Sequence, residues 1–224
     1  MENELLPDVE EEGENGEEPA VDIKIDDIKT ILRLLKTGEG VDFFHYKKKT
    51  IQRRIVRRMI LHKLENLSEY AELLKKDNKE VKLLYQDLLI NVTHFFRDAE
   101  TNDYFRRELL PGLLKEKSPS KPLRIWVPGC STGQEAYSIA MLILEVLGEN
   151  AVNASVQIFA TDLSEAAIIK ARIGIYTATE VADVSAIRLQ RFFTKVDGTY
   201  RIVKGVRDVC VFATHNVFRD PPFS

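Results

Sequence analysis

Apolar residues recur at intervals of three and four through the first half of the chain, which is the spacing of one helix face. The first such stripe consists of Ile25, Ile28, Leu32 and Leu35. The glycine-containing segment 38–40 is expected to end that helix. The same spacing predicts further helices over 50–64, 66–74, 80–90 and 99–115. The last of these contains Pro111, whose ring and missing N–H predict strain in the helix.

The pattern changes after the segment 117–122, Lys-Ser-Pro-Ser-Lys-Pro, which has the composition of a linker. Beyond it, short apolar runs alternate with helical stretches, which predicts a doubly wound α/β domain. Buried parallel strands are predicted at 123–127, 156–160 and 209–214, and a hairpin on an Asp-Gly turn at 194–203. Open α/β sheets usually contain more than three strands. The sequence therefore predicts a chain that is cut inside its second domain.

The charge is distributed unevenly along the 224 residues. The first twenty residues contain nine acids and no lysine or arginine, which predicts a disordered acidic tail or linker over 1–21. Removing those nine negative charges from a net charge of −3 leaves the remainder at +6. No signal peptide and no apolar run of about 20 residues is present, so we expect a cytoplasmic protein without membrane insertion. The four histidines lack metal-ligand spacing, and no metal is predicted.

A glycine-containing turn follows the first predicted strand and leads directly into a helix. Gly129 and Gly133 permit positive φ, and a helix N-terminus offers unpaired N–H groups. The turn has neither the Gly-x-Gly-x-x-Gly of a dinucleotide site nor the Gly-Lys-Ser/Thr of a P-loop. Glu135 would repel a phosphate and suit a cation, so S-adenosylmethionine fits better than NAD or ATP. Alternatively, Thr132 and Glu135 form a capping box at the helix start.

A second acid follows the next predicted strand. Asp162 lies at the carboxyl end of that strand, where a carboxylate can accept hydrogen bonds from ribose hydroxyls. Asp162 could instead cap the helix that begins near Ser164. Two acids on consecutive strand ends favour a cofactor that carries a nucleoside.

The helix predicted at 50–64 is strongly basic. Eight lysines and arginines and no acid occur between Tyr46 and Lys63. The four arginines of this run form two like-charged i,i+4 pairs, Arg53 with Arg57 and Arg54 with Arg58, which destabilise a helix slightly. An acidic protein helix or nucleic-acid phosphates could offset that cost. A solvated helix face is the alternative, and the lack of interleaved aromatic residues disfavours single-stranded nucleic acid.

Several segments together make the chain resemble the CheR-type chemotaxis receptor glutamate methyltransferases. The matching segments are Thr-Ile-Gln-Arg-Arg-Ile at 50–55 with its continuation to Met59, Leu-Ile-Asn-Val-Thr-His-Phe-Phe-Arg-Asp at 89–98, Gly-Cys-Ser-Thr-Gly-Gln-Glu-Ala-Tyr-Ser at 129–138, Ala-Thr-Asp-Leu at 160–163, and 171–176. The resemblance runs from about Asp22 to the end of the chain. It departs at Gln134, where the family usually has Glu, and at Ala136, where it usually has Pro. The family also continues beyond Ser224 with a further strand and a Cys-Arg-Asn-Val-x-Ile-Tyr-like segment. The resemblance implies that this segment carries further cofactor contacts and a tyrosine near the reacting centre, which leaves open whether the chain is active without it.

The resemblance implies a fold and a domain order. A small all-helical N-terminal domain over 22–98 would recognise the receptor, and 99–122 would form a connecting helix and linker. An incomplete Rossmann-like methyltransferase domain of the α/β class would occupy 123–224 and bind S-adenosylmethionine. The implied reaction is methyl transfer to receptor glutamates, which forms glutamate methyl esters and S-adenosylhomocysteine.

The resemblance also implies residue roles. The expected cofactor contacts are Asn91, Thr93, Arg97, Glu135, Asp162, Asn216 and Val217. Arg97 is expected to lie nearest the chemistry, as the catalytic residue. The surface that meets the acidic helical region of a chemotaxis receptor would consist of Arg53, Arg54, Arg57 and Arg58. On this interpretation the partner is a protein and not nucleic acid.

Two other functions are compatible with the sequence. Asp-Pro-Pro-Phe at 220–223 is similar to the turn with which amino-group methyltransferases of nucleic acid or protein hold the target amine. The basic helix would then bind phosphates. Such a turn should directly follow a strand, whereas Asn-Val-Phe-Arg at 216–219 intervenes here. The remaining possibility is a module that binds S-adenosylmethionine or docks on receptors without catalysis.

Overall fold

The computed structural model describes residues 25–44, 46–89, 92–115, 122–148 and 156–221. The chain divides into two compact units, one that ends at Leu88 and one that begins at Leu89. The predicted acidic tail and the linker residues 117–121 lie outside the described residues.

The described part of the first unit is helical, as the apolar spacing predicts. Its helices are α1 (Ile25–Glu39), α2 (Lys48–Leu61), α3 (Leu67–Lys76) and α4 (Asn78–Leu88). Helix α1 packs against α3 and α4, and α2 packs against α4. Asn66 caps α3 by accepting a hydrogen bond from Glu69 N at 2.9 Å. On α2, Ile51, Ile55 and Met59 form the buried face, and Arg53 and Arg57 lie toward solvent.

A buried carboxylate joins three helices of this unit. The Glu80 side chain on α4 is only 2% exposed. Arg58 on α2 donates to both of its oxygens, from Nε at 2.8 Å and from a terminal nitrogen at 2.6 Å. Tyr70 on α3 donates its hydroxyl to Glu80 at 2.8 Å, and His62 Nε2 lies 2.8 Å from the second oxygen. This cluster of Arg58, His62, Tyr70 and Glu80 is called the Glu80 network below.

Arg58 therefore departs from the sequence prediction, which groups it with the three other arginines of α2 on one docking surface. Its side chain is 12% exposed and points inward to Glu80. Arg53 and Arg57 are exposed, and Arg54 is partly buried. The reason is helical geometry, because Arg58 lies on the flank of α2 that faces α4, whereas Arg53 and Arg57 lie on the outer face.

The second unit begins with the segment that carries Thr93 and Arg97 and continues into an irregular helix. That helix consists of α5 (Ala99–Tyr104), a π-helical turn (Phe105–Leu109) and α6 (Leu110–Lys115). In the π-helical turn, Leu110 donates its backbone N–H to Phe105 O, one residue farther back than in an α-helix. The strain predicted at Pro111 is thus relieved in the turn that precedes it, where the missing proline N–H disturbs the hydrogen-bond ladder.

A parallel sheet forms the centre of the second unit, as predicted. Its strands are β1 (Leu123–Pro128), β2 (Val156–Asp162) and β6 (Cys210–Thr214), in the order β1-β2-β6. Val127, Ala160 and Phe212 lie side by side across the sheet and are buried. Helices α7 (Gln134–Leu147) and α8 (Glu165–Ile173) pack against these strands. The α/β class of the second domain is confirmed.

A smaller antiparallel sheet completes the described part of the second unit. It consists of β3 (Ile175–Tyr176), β4 (Phe193–Val196) and β5 (Thr199–Ile202), and the helices α9 (Ala186–Phe192) and α10 (Lys204–Arg207) flank the hairpin. Asp197 and Gly198 connect β4 to β5 with φ of 46° and 77°, the two positive values that a type I′ turn requires. The predicted hairpin is confirmed, whereas β3, only two residues long, was not predicted. Among the described residues, no helix has both the length and the apolar character needed to cross a membrane.

The Glu80 network predicts a large effect of one isosteric change. Burial alone would raise the pKa of the Glu80 carboxyl, but hydrogen bonds from Arg58, Tyr70 and His62 outweigh burial and hold that pKa below its ordinary value. Glu80→Gln should lower the opening free energy of α2–α4 by about 3 kcal/mol, because it leaves Arg58 buried without its main anion. This is the lower end of the range for a broken buried pair, since Asp87 lies 3.8 Å from Arg58. Hydrogen exchange of these helices, followed by mass spectrometry, measures the change.

The matched control is Glu72→Gln, which breaks an exposed pair with Lys75 and should leave exchange unchanged. A carboxyl whose pKa is depressed by folding stabilises above its unfolded pKa and loses that effect as pH falls through the folded value. The difference between Glu80→Gln and the parent should therefore shrink below about pH 4. Equal exchange in both variants at neutral pH would contradict a stabilising role for the network.

Candidate functional site

The turn between β1 and α7 is fixed by backbone hydrogen bonds and by one glycine that leaves no room for a side chain. Cys130 N–H donates to Thr161 O and Gly133 N–H donates to Cys130 O, both at 2.9 Å. Gly133 has φ of 94°, and an added Cβ would lie 2.9 Å from the Ala171 Cβ. The chain therefore turns sharply at the end of β1 and enters α7 at a defined angle.

Glu135 is not part of a capping box. Gly133 is the N-cap residue of α7 and provides no side chain to accept a hydrogen bond. The Thr132 hydroxyl, which would have to cap the helix, donates instead to the Gln134 amide oxygen at 2.7 Å. Glu135 is exposed and makes no hydrogen bond or ion pair within the described residues. Its carboxylate is thus available to a ligand at the start of α7.

Asp162 ties the turn to the second strand. One carboxylate oxygen accepts the Ser131 N–H and the other accepts the Ser164 N–H, both at 2.8 Å. The N-cap of α8 is Ser164, whose hydroxyl accepts the Ala167 N–H at 3.2 Å. Asp162 therefore precedes the cap and is not the cap itself. Each carboxylate oxygen retains a lone pair for another donor.

The Phe-Phe-Arg turn that precedes α5 is anchored in the core of the second unit. Phe95 is fully buried and lies edge-on against Tyr176 and Phe193, with ring centroids 5.0 Å and 5.5 Å away. Phe96 has φ of 53°, a left-handed conformation that a bulky residue rarely adopts. Its N–H donates to the Ser138 hydroxyl on α7 at 3.0 Å, which holds the strained residue in place.

The ring of Phe96 is held from its other side by an ion pair. The Arg188 guanidinium lies 4.0 Å from the Phe96 ring centroid. Glu145 on α7 binds Arg188 through two hydrogen bonds of 2.7 Å and 3.0 Å. With Phe95 and Phe96 both fixed, the next residue, Arg97, is presented at a defined position.

A cavity of 730 Å³ lies between this turn, the loop after β1 and the first helix of the unit. It brings together Thr93, Arg97 and Glu135, three of the residues predicted to contact the cofactor. Gly129 and Ser131 also line it, whereas Asp162 does not line it and is joined to its wall only through the bond to Ser131. Asn91, another predicted contact, lies outside the described residues.

Asn216 and Val217 do not line this cavity. The Asn216 N–H donates to the Asp220 carboxylate at 2.7 Å, and the Asn216 side-chain oxygen accepts the Phe218 N–H at 3.0 Å. These bonds form a closed turn after β6, on which Val217 is half-exposed. The turn adjoins the end of β2, because His215 N–H donates to Asp162 O at 3.0 Å.

One wall of the cavity is formed by residues that the sequence did not single out. Helix α5 and the π-helical turn contribute Thr101, Asn102, Tyr104, Phe105 and Leu109, in a stretch predicted only to connect the domains. A signal was present, because Asp98 directly follows Arg97 and caps α5 by accepting the Thr101 N–H at 3.1 Å. A helix whose cap directly follows a site residue has to start at the site.

The charges in the cavity are of opposite sign. Arg97 makes no ion pair with any described residue, and it also lines a neighbouring cavity of 470 Å³. Burial, together with the negative charges of Asp162 and Glu135, raises the pKa of the Cys130 thiol to about 12. Cys130 is therefore a neutral thiol at physiological pH, which excludes it as a nucleophile.

Comparison with known proteins identifies the family of both units. A family model described as the CheR methyltransferase SAM-binding domain matches residues 91–224, and one described as the CheR all-alpha domain matches 26–89. The chain belongs to the CheR methyltransferase family. The helical first unit and the α/β second unit agree with these two CheR descriptions.

Individual relatives have similar sequences. The chain is 38% identical over 194 residues to an uncharacterized 104.1 kDa protein of Rhodobacter capsulatus, which covers 87% of this chain and 20% of that protein. It is 32% identical over 188 residues to a chemotaxis protein methyltransferase of Listeria monocytogenes, covering 84% of this chain and 70% of the relative. A chemotaxis protein methyltransferase of Borreliella burgdorferi is 27% identical over 210 residues, covering 91% of this chain and 74% of the relative. The chain thus spans a fifth of the first relative and about 70% of the other two.

The tight approach at Gly133 predicts that a single methyl group will disturb the CheR loop. Gly133→Ala would force a Cβ to within 2.9 Å of Ala171 at a φ of 94°, so the loop after β1 must shift. We expect the unfolding free energy of the second unit to fall by about 2 kcal/mol. Urea unfolding monitored by the fluorescence of Trp126, the single tryptophan, measures this unit.

Gly205→Ala is the control, because an added Cβ there meets nothing within 4 Å and φ is not in the left-handed region. It should leave the urea midpoint unchanged or raise it slightly, since α10 gains a better helix former. Equal midpoints for the two variants would contradict the assigned role of Gly133.

Proposed function

We propose that the chain binds S-adenosylmethionine in the 730 Å³ cavity and supports methyl transfer to glutamate side chains of chemotaxis receptors. The products would be glutamate methyl esters and S-adenosylhomocysteine. The observation that carries the proposal is that one cavity presents a cation, Arg97, and an anion, Glu135, neither of which is paired within the described residues.

The residues of the cavity fit this cofactor. Its methionine part is a zwitterion, so Arg97 can bind the carboxylate through forked hydrogen bonds and Glu135 can bind the ammonium. Gly129 has φ of 71° and lines the cavity without a side chain, which leaves room for a ligand. The volume lies within the ~300–1,000 Å³ usual for small-molecule sites. A phosphate-bearing cofactor fits less well, because Glu135 would repel it.

Asp162 is proposed for the ribose side of the site. Both of its oxygens already accept a backbone N–H, and each can accept one more hydrogen bond. In this role Asp162 would bind the ribose and the loop at once. Thr93 and Asn91 are proposed as further polar contacts, and Asn216 and Val217 as contacts that would require movement of their turn toward the cavity.

The reaction needs little acid–base assistance. When bound, S-adenosylmethionine supplies an activated methyl group on a sulfonium, whose sulfur takes the electron pair of the broken S–CH₃ bond. A glutamate carboxylate is already a nucleophile near neutral pH, so no proton moves as its O–CH₃ bond forms. The work of the protein is therefore proximity and alignment. Arg97 is proposed as the catalytic residue, because its guanidinium can orient a carboxylate at the cavity.

The basic helix α2 is proposed to dock the acidic helical region of a receptor. Arg53 and Arg57 are exposed, and Arg54 is partly exposed beside them. Two relatives are named chemotaxis protein methyltransferases, which supports a receptor as the partner. Arg58 is omitted from this proposed surface, since it is bound to Glu80. The proposed place of action is the cytoplasm, where Cys130 and Cys210 would remain the free thiols they are here.

The amino-group methyltransferase alternative is less well supported. Its motif requires a free Asp220 directly after a strand, yet β6 ends at Thr214 and the Asp220 carboxylate accepts the Asn216 N–H. Pro222 and Phe223 lie outside the described residues. A binding module without turnover is separated from the enzyme by the product test below.

Glu135 provides the sharpest test of the cofactor. Glu135→Gln should weaken S-adenosylmethionine binding about tenfold, because it removes the partner of the ammonium. Glu165→Gln is the matched control, since Glu165 also lies in the first turn of its helix but does not line the cavity. Isothermal titration calorimetry should give the control an unchanged Kd. Tighter binding of ATP or NAD than of S-adenosylmethionine would refute the cofactor proposal.

The chemistry of the product tests the reaction. The chain is incubated with chemotaxis receptor and S-adenosylmethionine that carries a radioactive methyl group. We expect label on the receptor that mild base releases as methanol, because carboxyl esters hydrolyse where methylated amines do not. Base-stable label, or label in added nucleic acid, would support the amino-group alternative. Cofactor binding without any label would support the non-catalytic module.

A further inference from the structure

Helix α2 presents a narrow row of positive charge to solvent. Lys49, Arg53 and Arg57 follow one another at intervals of four residues, and all three are exposed. None of them forms an ion pair with a described residue. This row, called the basic stripe, is ~12 Å long, given a rise of 1.5 Å per residue. Its like charges repel one another, so an anionic occupant would stabilise the helix.

The segment that precedes α1 enters that helix close to the basic stripe. Ile28, in the first turn of α1, lines one narrow crevice together with Gln52, Ile55 and Val56 of α2. Gln52 and Val56 directly precede Arg53 and Arg57 in the sequence. The segment that leads into α1 therefore joins the fold within about one helix diameter of the stripe, roughly 10 Å.

That segment is strongly negative, opposite in sign to the basic stripe. Nine acids and no lysine or arginine occur in the first twenty residues. The acid of this group nearest to α1, Glu18, lies seven residues before Ile25, where α1 begins, and seven extended residues span up to ~23 Å. Every one of the nine carboxylates can therefore reach the stripe. A tether of this length holds them there at an effective concentration of the order of millimolar.

We infer that the acidic segment 2–18 folds back onto the basic stripe and competes with the acidic partner that α2 docks. Each exposed ion pair contributes little, so the contact is weak, additive and sensitive to salt. A weak internal contact suits a competitor, since an acidic partner that binds the stripe more tightly displaces it. The competition rests on the proposed docking function of α2, whereas the contact itself does not.

Carbodiimide cross-linking of the whole chain tests the contact. This reagent joins a lysine amine only to a carboxylate in direct contact with it. We expect links from carboxylates 2–18 to Lys47, Lys48 and Lys49, and few to Lys82 or Lys195, which are exposed elsewhere. The links should disappear at 1 M salt, where the Debye length is ~3 Å. Equal linking to Lys82 and Lys195, or links only in cross-linked dimers, would overturn the fold-back.

Charge removal in the whole chain tests the competition. One variant changes the eight glutamates of segment 2–18 to Gln together with Asp8→Asn, and a second carries Arg53→Glu with Arg57→Glu. The probe is a fluorescein-labelled helical peptide of alternating Glu and Ala blocks, followed by anisotropy. Neutralising the segment should tighten probe binding roughly tenfold at low salt, because it removes the tethered competitor. Combining both variants should abolish that gain.

The two experiments separate the two proposals. Unchanged probe affinity after neutralisation would overturn the competition even if the cross-links form. If the probe fails to bind the neutralised chain at all, the docking function of α2 fails, and the cross-links alone decide whether the acidic segment contacts the stripe.

Discussion

The carboxylate of Asp162 is the interaction on which the site depends. One oxygen holds the loop after β1 through Ser131, and the other holds the start of α8 through Ser164. Because β1 and β2 are adjacent parallel strands, this single side chain fixes both loops at the same edge of the sheet. Charged acceptors of two backbone N–H groups form stronger hydrogen bonds than neutral ones. The loop conformation thus precedes any ligand.

The remaining features of the site follow from that fixed edge. Because the loop is fixed, α7 begins at Gly133 without a side-chain cap. Glu135 makes no capping hydrogen bond to the helix backbone, so its carboxylate is available to a ligand. Ser138, one turn further along α7, receives the N–H of Phe96 and so positions the Phe-Phe-Arg turn. One strand end, one helix and one turn therefore bring Glu135 and Arg97 to the same cavity although 38 residues separate them in the sequence.

Local sequence patterns predicted the helices and strands well, whereas side-chain contacts formed by the fold could not be predicted from them. The Asp-Gly turn identified the hairpin because a type I′ turn depends only on its own two residues. The four arginines of α2 look equivalent in sequence, yet Arg58 alone meets Glu80, which lies 22 residues later. The predicted capping box at Thr132 failed for a local reason, because the Thr132 hydroxyl donates to the side-chain amide oxygen of Gln134, two residues later. The apolar spacing predicts a helix over residues 99–109, but it does not show that this helix forms a wall of the cavity.

The π-helical turn over Phe105–Leu109 sets the length of that wall. A π-helical turn holds one residue more than an α-helical turn across the same gap. Deleting one residue there would restore a regular helix across the same gap, so Ala99–Tyr104 and α6 would keep their relative orientation. With the extra residue in place, Tyr104 and Leu109 line the same cavity although they are five residues apart, a spacing that places two side chains about 140° apart in a regular helix. The extra residue is therefore absorbed within one turn, and it lets two side chains at an unusual spacing share one wall of the site.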